Sequence, residues 1–515
     1  MAEHLRYPSS RPMTANSMVV ATILLLSVAA CRPSSTVAPT TVTPMPGIPI
    51  LLLTVDALRA DHLSIYGYPR DTAPALSRLA EDAVVFERAF TPCPRTSPAF
   101  ASLFTGKYPH GHGLRQLGQE LAGDNLTLAE LLAEAGYSSR GFVSSTVLVG
   151  QLSGLDQGFD AWDDLLPARE RNRENYQRIA AETVASVSRE LDGGWQPGFL
   201  FLHLIDPHGP YAAPEPRSFA PGPAASASGL FEPSLVPEYQ RLDQRPRLRD
   251  YIDAYDAEIS YADAWLGRLL ERLRQTDLYD RALIVVTADH GEAFGEHGSW
   301  FRHGATLHEE STRVPLLIKL PAGPRAAAPA RVTAAVSLVD LLPTLLDYAG
   351  VSPPPGLHGS SLRGLLEGDS QSSRAVFSTR TGRTIKWAAH TRQGTLLASD
   401  CPGGDPGLCA WSWFDAADAD SRDGLPAASA PAGTAEKLRD FVTRSRAATL
   451  SFAVARRYRP SDRDFVGSFM QEHNRGEAGL DRQQRLALEE LGYLQPLADD
   501  EPPAGRKPSE QDHRR

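Results

Sequence analysis

Three apolar runs, each closed by an aspartate, constrain this chain more than any other feature. They are "PILLLTVD" (Pro49–Asp56), "GFLFLHLID" (Gly198–Asp206) and "RALIVVTADHG" (Arg281–Gly291). A strand that is apolar throughout belongs inside a sheet with both faces covered, which is the habit of parallel sheets flanked by helices. Helical patterns do alternate with these runs. "NLTLAELLAEAGY" has helical spacing and stops at Gly136, and "YIDAYDAEISYADAWLGRLLERLRQ" puts Ile252, Tyr255, Ile259, Ala262, Leu266 and Leu269 on one side. "APALSRLAEDAV" and "VSLVDLLPTLLDYAG" read as further helices, and "RVPLLIKLP" as another strand. The expected class is α/β: helices layered on both faces of a mostly parallel central sheet. Ligands in such folds bind at the carboxyl ends of the strands. Asp56, Asp206 and Asp289 should meet there.

The flanks read differently. His4, Arg6 and Arg11 precede "MVVATILLLSVAAC", which ends at Cys31. This run is short for a membrane span and has the layout of a secretory signal. "VAAC" resembles a bacterial lipobox, so residues 1–31 are expected to direct export and leave Cys31 lipidated, anchored to a membrane on its outer side. Residues 32–47, rich in Pro, Thr and Ser, form a tether. A catalytic domain is expected over 48–370, with a Pro/Ala/Ser-rich surface excursion at 212–247. A smaller carboxy-terminal subdomain with helices near 434–456 and 481–493 would fill 371–495. The polar tail, 496–515, should be disordered. Cys401 and Cys409 flank "CPGGDPGLC" and could close a disulfide in an oxidising compartment. The net charge of -10 disfavours a nucleic-acid partner, which needs a basic face.

Chemistry gathers after the strands. Asp289 and His290 stand together in "TADHG", offering an oxygen and a nitrogen at a turn where backbone can approach closely; zinc or manganese accepts both. Asp206 and His208 flank Pro207 in "LIDPHGPY", and "EHGSWFRHGATLHEE" adds His297, His303 and His308, with Glu292 and Glu296 nearby. Each alone is an ordinary cap or surface histidine; together they form a constellation. "FTPCPRTSPAFASLFTG" supplies a nucleophile. Ser97 reads as a helix cap, Pro98 as the first helical residue and Gly106 as the stop. Thr96 would then sit just ahead of exposed N–H groups, an anion site. From spacing alone it serves equally well as a cap.

At these residues the chain resembles the sulfatase family of the alkaline phosphatase superfamily. "ASLFTGKYPHGHG", "TADHG", "STRVPLLIKLP" and "VSLVDLLPTLLDYAG" carry the resemblance, which runs from about Pro49 to Leu366. It implies an alkaline-phosphatase-like α/β/α sandwich, Asp56, Asp289 and His290 as metal ligands, and Thr96 at the nucleophile position. In sulfatases that position is a cysteine within C-x-P-x-R, oxidised to formylglycine. Here the matching residues are "TSPAF": Thr96 replaces the cysteine and Phe100 the arginine. Cys93 lies three residues too early. The acid that often follows the first metal aspartate is Ala57, no lysine or histidine stands in "GYSSRGFVSSTVL", and His303 takes the place of a lysine. His208 matches the family's substrate-contacting histidine.

The reading that follows is an exported ester hydrolase dependent on a divalent metal (zinc, manganese or calcium, one ion or two) and acting on an anionic sulfuric or phosphoric ester. Thr96 attacks, and Asp56, Thr96, Asp289 and His290 hold the ion. His208 and His303 contact substrate, act as acid and base, or join Asp206 around a second ion. A threonine ester cannot collapse to an aldehyde as a formylglycine hydrate can, which favours phosphoryl substrates. The alternatives are a transferase passing a phosphoryl-alcohol group to a membrane lipid or glycan, and a catalytically silent envelope or glycan-binding protein.

Overall fold

The computed structural model describes residues 47–455, apart from 167–178, 196–197, 220–230, 238–239, 243–246, 324–329, 370–373, 381–384, 402–405 and 419–423. The expected signal segment, tether, helix near 481–493 and tail lie outside the described residues, as does part of the 212–247 excursion. Among the described residues no helix is long and apolar enough to cross a membrane.

The apolar runs form the centre of a nine-stranded sheet. Its strands are β1 (Ile50–Val55), β2 (Val84–Phe90), β3 (Ser139–Phe142), β4 (Ala161–Asp163), β5 (Phe199–Leu204) and β6 (Leu283–Thr287). A hairpin of β7 (Ala293–Phe294) and β8 (Trp300–Arg302) follows, then β9 (Arg313–Val314), β10 (Leu316–Lys319) and β11 (Ala330–Ser337). The order across the large sheet is β11-β2-β10-β6-β1-β5-β3-β4, with β9 paired to β2. β1 pairs in parallel with both β5 and β6, while β10 runs antiparallel between β6 and β2. Every residue of β1, β5 and β6 is buried, as strands covered on both faces must be.

Two helix groups supply the cover. α1 (Pro74–Ala80), α4 (Ala180–Asp192) and α5 (Leu248–Gln275) pack together, as do α2 (Thr96–Thr105), α3 (Leu128–Glu134) and α6 (Leu341–Ala349). Along α5 a buried stripe of Tyr251, Tyr255, Ile259, Ala262, Leu266, Leu269 and Leu273 recurs every three or four residues, with Asp256, Ala257, Glu258, Tyr261, Asp263 and Leu270 buried beside it. Ile252, expected on that stripe, is half-buried beside it. α3 opens with a capping box, Thr127 Oγ accepting from the Glu130 N–H while Glu130 accepts from the Thr127 N–H.

The smaller subdomain is an antiparallel sheet of β12 (Val376–Arg380), β13 (Ile385–His390), β14 (Gly394–Cys401), β15 (Ala410–Asp415) and β16 (Leu425–Pro426). The helix expected near 434–456 is α7 (Thr434–Ala455), whose Leu438, Phe441 and Val442 pack against Trp387 and Trp413. Cys409 is disulfide-bonded and Cys93 is a free, buried thiol.

Candidate active site

Strand register decides which of the three strand-end acids meet. Thr54 lies opposite Thr287, so Asp56 comes opposite Asp289 one pleat further on, and the two point to the same side. On the other flank Val55 lies opposite Leu204, which puts Ile205, and not Asp206, beside Asp56. Asp206 therefore faces the opposite side of the sheet. There its Oδ2 accepts the Ala180 N–H at the start of α4 at 2.8 Å, and its carboxyl hydrogen-bonds the buried Glu258. The structure therefore does not gather Asp206 with His208 and His303 as the expected second ion needs. Among the described residues Asp56, Asp289 and His290 are the one group of three or more His, Cys, Asp or Glu side chains whose ligand atoms all lie within 4.8 Å of one another.

This trio has the donor set of a cation site. Asp289 Oδ1 accepts the Ala57 and His290 N–H groups at 3.2 and 2.9 Å, which fixes the carboxylate. Asp289 Oδ2 and both oxygens of Asp56 are buried without hydrogen-bond partners. Orphaned buried carboxylate oxygens are costly unless a cation or proton joins them. Burial, then the neighbouring Asp289 charge, pushes the Asp56 carboxyl well above the usual range. His290 Nδ1 faces the Gly291 carbonyl at 2.9 Å and donates to it in the neutral ring, leaving the Nε2 lone pair free. Nε2 lies 3.5 Å from Asp56 Oδ1, 3.3 Å from Asp289 Oδ2 and 3.3 Å from Thr96 Oγ1. A divalent cation fits these residues.

Thr96 reaches the cluster from α2, which starts two positions earlier than its spacing suggests. The cap is Arg95, in extended conformation and without a side-chain capping bond, so Thr96 is itself the first helical residue. Ser97, expected to cap, donates its hydroxyl to the Val147 carbonyl at 2.8 Å. Gly106, with φ 64°, ends the helix in the left-handed conformation that glycine adopts freely. Phe100 turns into the core, its ring 5.3 Å from Phe201 and 5.4 Å from His203. Burial pushes the Cys93 thiol up to about 11, so it is no nucleophile at neutral pH.

The histidines sort into two groups. His303 stacks on His290 with centroids 4.3 Å apart, and His208 meets His303 edge-on at 4.9 Å. His208 Nδ1 lies 2.8 Å from the Gly209 carbonyl, while its Nε2 is buried and unpartnered. His303 Nδ1 lies 3.4 Å from Glu292 Oε2, and burial raises that acid to about 7. Burial also lowers His208 to about 3 and His303 to about 4, so both rings are neutral at pH 7. His297 and His308 instead stack on each other at 3.6 Å beside Phe414, and Glu296 pairs with Arg59. His203, not singled out by the sequence reading, places Nε2 3.3 Å from Asp56 Oδ2 without hydrogen-bond geometry. Its signal was available: it is the one titratable residue inside the apolar run of β5.

With that geometry in place, a family model described as Sulfatase matches residues 49–351, more than half of the chain. An ulvan-active sulfatase of Formosa agariphila is 27% identical over 340 residues, 62% of this chain and 65% of that protein. Arylsulfatase K of Xenopus laevis is 26% identical over 58% of this chain and 62% of its own. The chain thus matches slightly less than two thirds of the length of these two relatives. The crystal structure of phosphonate monoester hydrolase of Agrobacterium radiobacter superposes with a TM-score of 0.63 at 22% identity, covering 78% of this chain and 95% of that one.

Proposed function

The chain belongs to the sulfatase family, with an alkaline-phosphatase-like fold, and from that premise we propose an exported, metal-dependent hydrolase of anionic esters that uses Thr96 as its nucleophile. The observation that carries this reading is the Thr96 hydroxyl at the head of α2, 3.3 Å from His290 Nε2 and against two buried acids with unpaired oxygens. Asp56, Asp289, His290 and Thr96 would hold the ion. When bound, a divalent cation favours the alkoxide form of a hydroxyl and draws in an anionic ester.

The residues divide the remaining work. Thr96 Oγ forms a bond to the phosphorus or sulfur centre as the ester bond to the alcohol breaks, and the alcohol oxygen takes up a proton. Water then attacks the centre and Thr96 leaves, regaining its proton. His208 suits this second step, because a neutral ring with a free, buried Nε2 accepts the proton that water gives up. The N–H groups at the start of α2 would stabilise the anion held beside Thr96.

A hydroxyl at this position favours phosphoryl over sulfuryl esters, since the covalent ester must be cleaved by water. The named relatives bracket the choice, an ulvan-active sulfatase on one side and a phosphonate monoester hydrolase on the other. The test is a panel of aryl sulfate, phosphate monoester and phosphodiester substrates with several divalent metals. Phosphoesters should be turned over fastest, and Thr96→Ala should lose at least about a thousandfold in kcat/KM, or ~4 kcal/mol. Equal rates for wild type and variant would remove the nucleophile.

A further inference from the structure

Among the described residues, one cation beside this site has no acid paired with it. Arg95, directly ahead of the nucleophile, is half-buried, and its side chain makes no capping bond. Its backbone is spoken for: the N–H donates to the Cys93 carbonyl at 2.8 Å and the carbonyl accepts from Ala99 at 2.9 Å. The side chain instead lies over the peptide that follows His303. A Cβ at Gly304 would come within 2.7 Å of Arg95 Nε and 2.9 Å of its Cγ, so the missing side chain is the space Arg95 fills. A second guanidinium reaches the same peptide from the carboxy-terminal sheet: Arg380, at the end of β12, donates Nε–H to the Gly304 carbonyl at 2.7 Å.

Two like charges thus flank one glycine at the edge of the site. Arg95 acts electrostatically on both His303 and Arg380; burial first and the Arg95 charge second lower the Arg380 pKa. The nearby Cys93 thiol feels both guanidiniums and still stays protonated, so it does not neutralise them. A guanidinium with no acid paired to it, here Arg95, is held favourably beside a second positive charge when an anion joins it, and the planar fork suits carboxylate, sulfate or phosphate oxygens. We propose that Arg95 and Arg380 form an anion subsite beside the nucleophile, which receives a charged group that the substrate carries apart from the ester being cleaved. The natural substrate is then a polyanionic ester. This rests on the hydrolase reading above, and the two can fail separately.

The test is calorimetric binding to metal-reconstituted Thr96→Ala protein, which holds substrate without turning it over. The probes are 4-nitrophenyl phosphate and three ring-substituted analogues: a carboxylate, a sulfonate and, as a size control, the uncharged methyl ester of the carboxylate. The charged analogues should bind about tenfold more tightly than the methyl ester at equal ionic strength, the scale of one charge-assisted contact. Adding Arg95→Ala should bring that ratio to about one, and Arg380→Gln should lower it. Using a ratio within each protein cancels any general loss of folding. A ratio near one with Arg95 present, or one that Arg95→Ala leaves intact, overturns the subsite. Binding of the carboxylate and sulfonate without binding of the parent phosphate would keep the subsite and sink the hydrolase reading. If no probe binds, both fall.

Discussion

Chelation should cost this protein stability in a pH-dependent way that Asp56 explains. Without a cation, three carboxylate oxygens (both of Asp56 and Oδ2 of Asp289) stay buried and unpaired. The Asp56 carboxyl responds by holding a proton well above its usual range, through burial first and the Asp289 charge second. A cation must displace that proton. Apparent affinity therefore falls about tenfold for each pH unit below the Asp56 titration, and binding releases protons. At a free concentration a hundred times its Kd, the ion stabilises the fold by about 2.7 kcal/mol. Domains of 150–250 residues shift by roughly 2–4 °C per kcal/mol; this larger one should gain a few degrees. Scanning fluorimetry of chelated and manganese- or zinc-reconstituted protein at pH 6 and 8 reads the shift. Calorimetry in two buffers of different ionisation enthalpy counts the protons. Asp56→Asn removes both the buried repulsion and a ligand, so its chelated form should be at least as stable as chelated wild type and indifferent to added ion. Equal metal responses in the two proteins would refute the argument.

Three further outcomes follow from other contacts. Phe100→Arg, which restores the arginine of the sulfatase motif, places an unpaired charge among Phe104, Phe201 and His203; it should destabilise by at least about 3 kcal/mol in urea melts, not improve catalysis. Gly304→Ala, at φ +71° and with its Cβ 2.7 Å from Arg95 Nε, should cost roughly 1–2 kcal/mol by the same measurement, and a silent substitution would mean Arg95 packs elsewhere. The buried Asp206–Glu258 pair makes stability fall with rising pH. Burial raises Asp206 from 3.8 to about 6 and holds Glu258 well above its usual value, so the contribution is complete below pH 3.8 and is lost as pH rises through 6. Urea melts at pH 5 and 8 should show a smaller drop for Glu258→Gln than for wild type.

Much of the fold was legible because fully buried strands announce themselves as unbroken apolar runs, and β1, β5 and β6 are such strands. The acids after them were visible for the same reason. What the runs do not encode is register. Asp56 and Asp289 meet, whereas Asp206 sits one residue out of step with Asp56 and turns away; only the pairing of Val55 with Leu204 reveals it. The α2 start slipped because Ser97 looks like a cap but gives its hydroxyl to Val147, a partner 50 residues away. His203 escaped notice because attention fell on strand ends, and Arg95 because its meaning depends on Gly304 and Arg380, both distant in sequence.

The strand order carries one more consequence. Thr96 follows β2, which two other strands separate from β1, yet its hydroxyl reaches His290 across 194 positions of chain. No early fragment, hairpin or isolated βαβ unit contains the full set of donors. Such long loops close late, after local helices and neighbouring strands have formed. Uptake of the ion should therefore mark the end of folding, because a chain still folding lacks the complete set of donors.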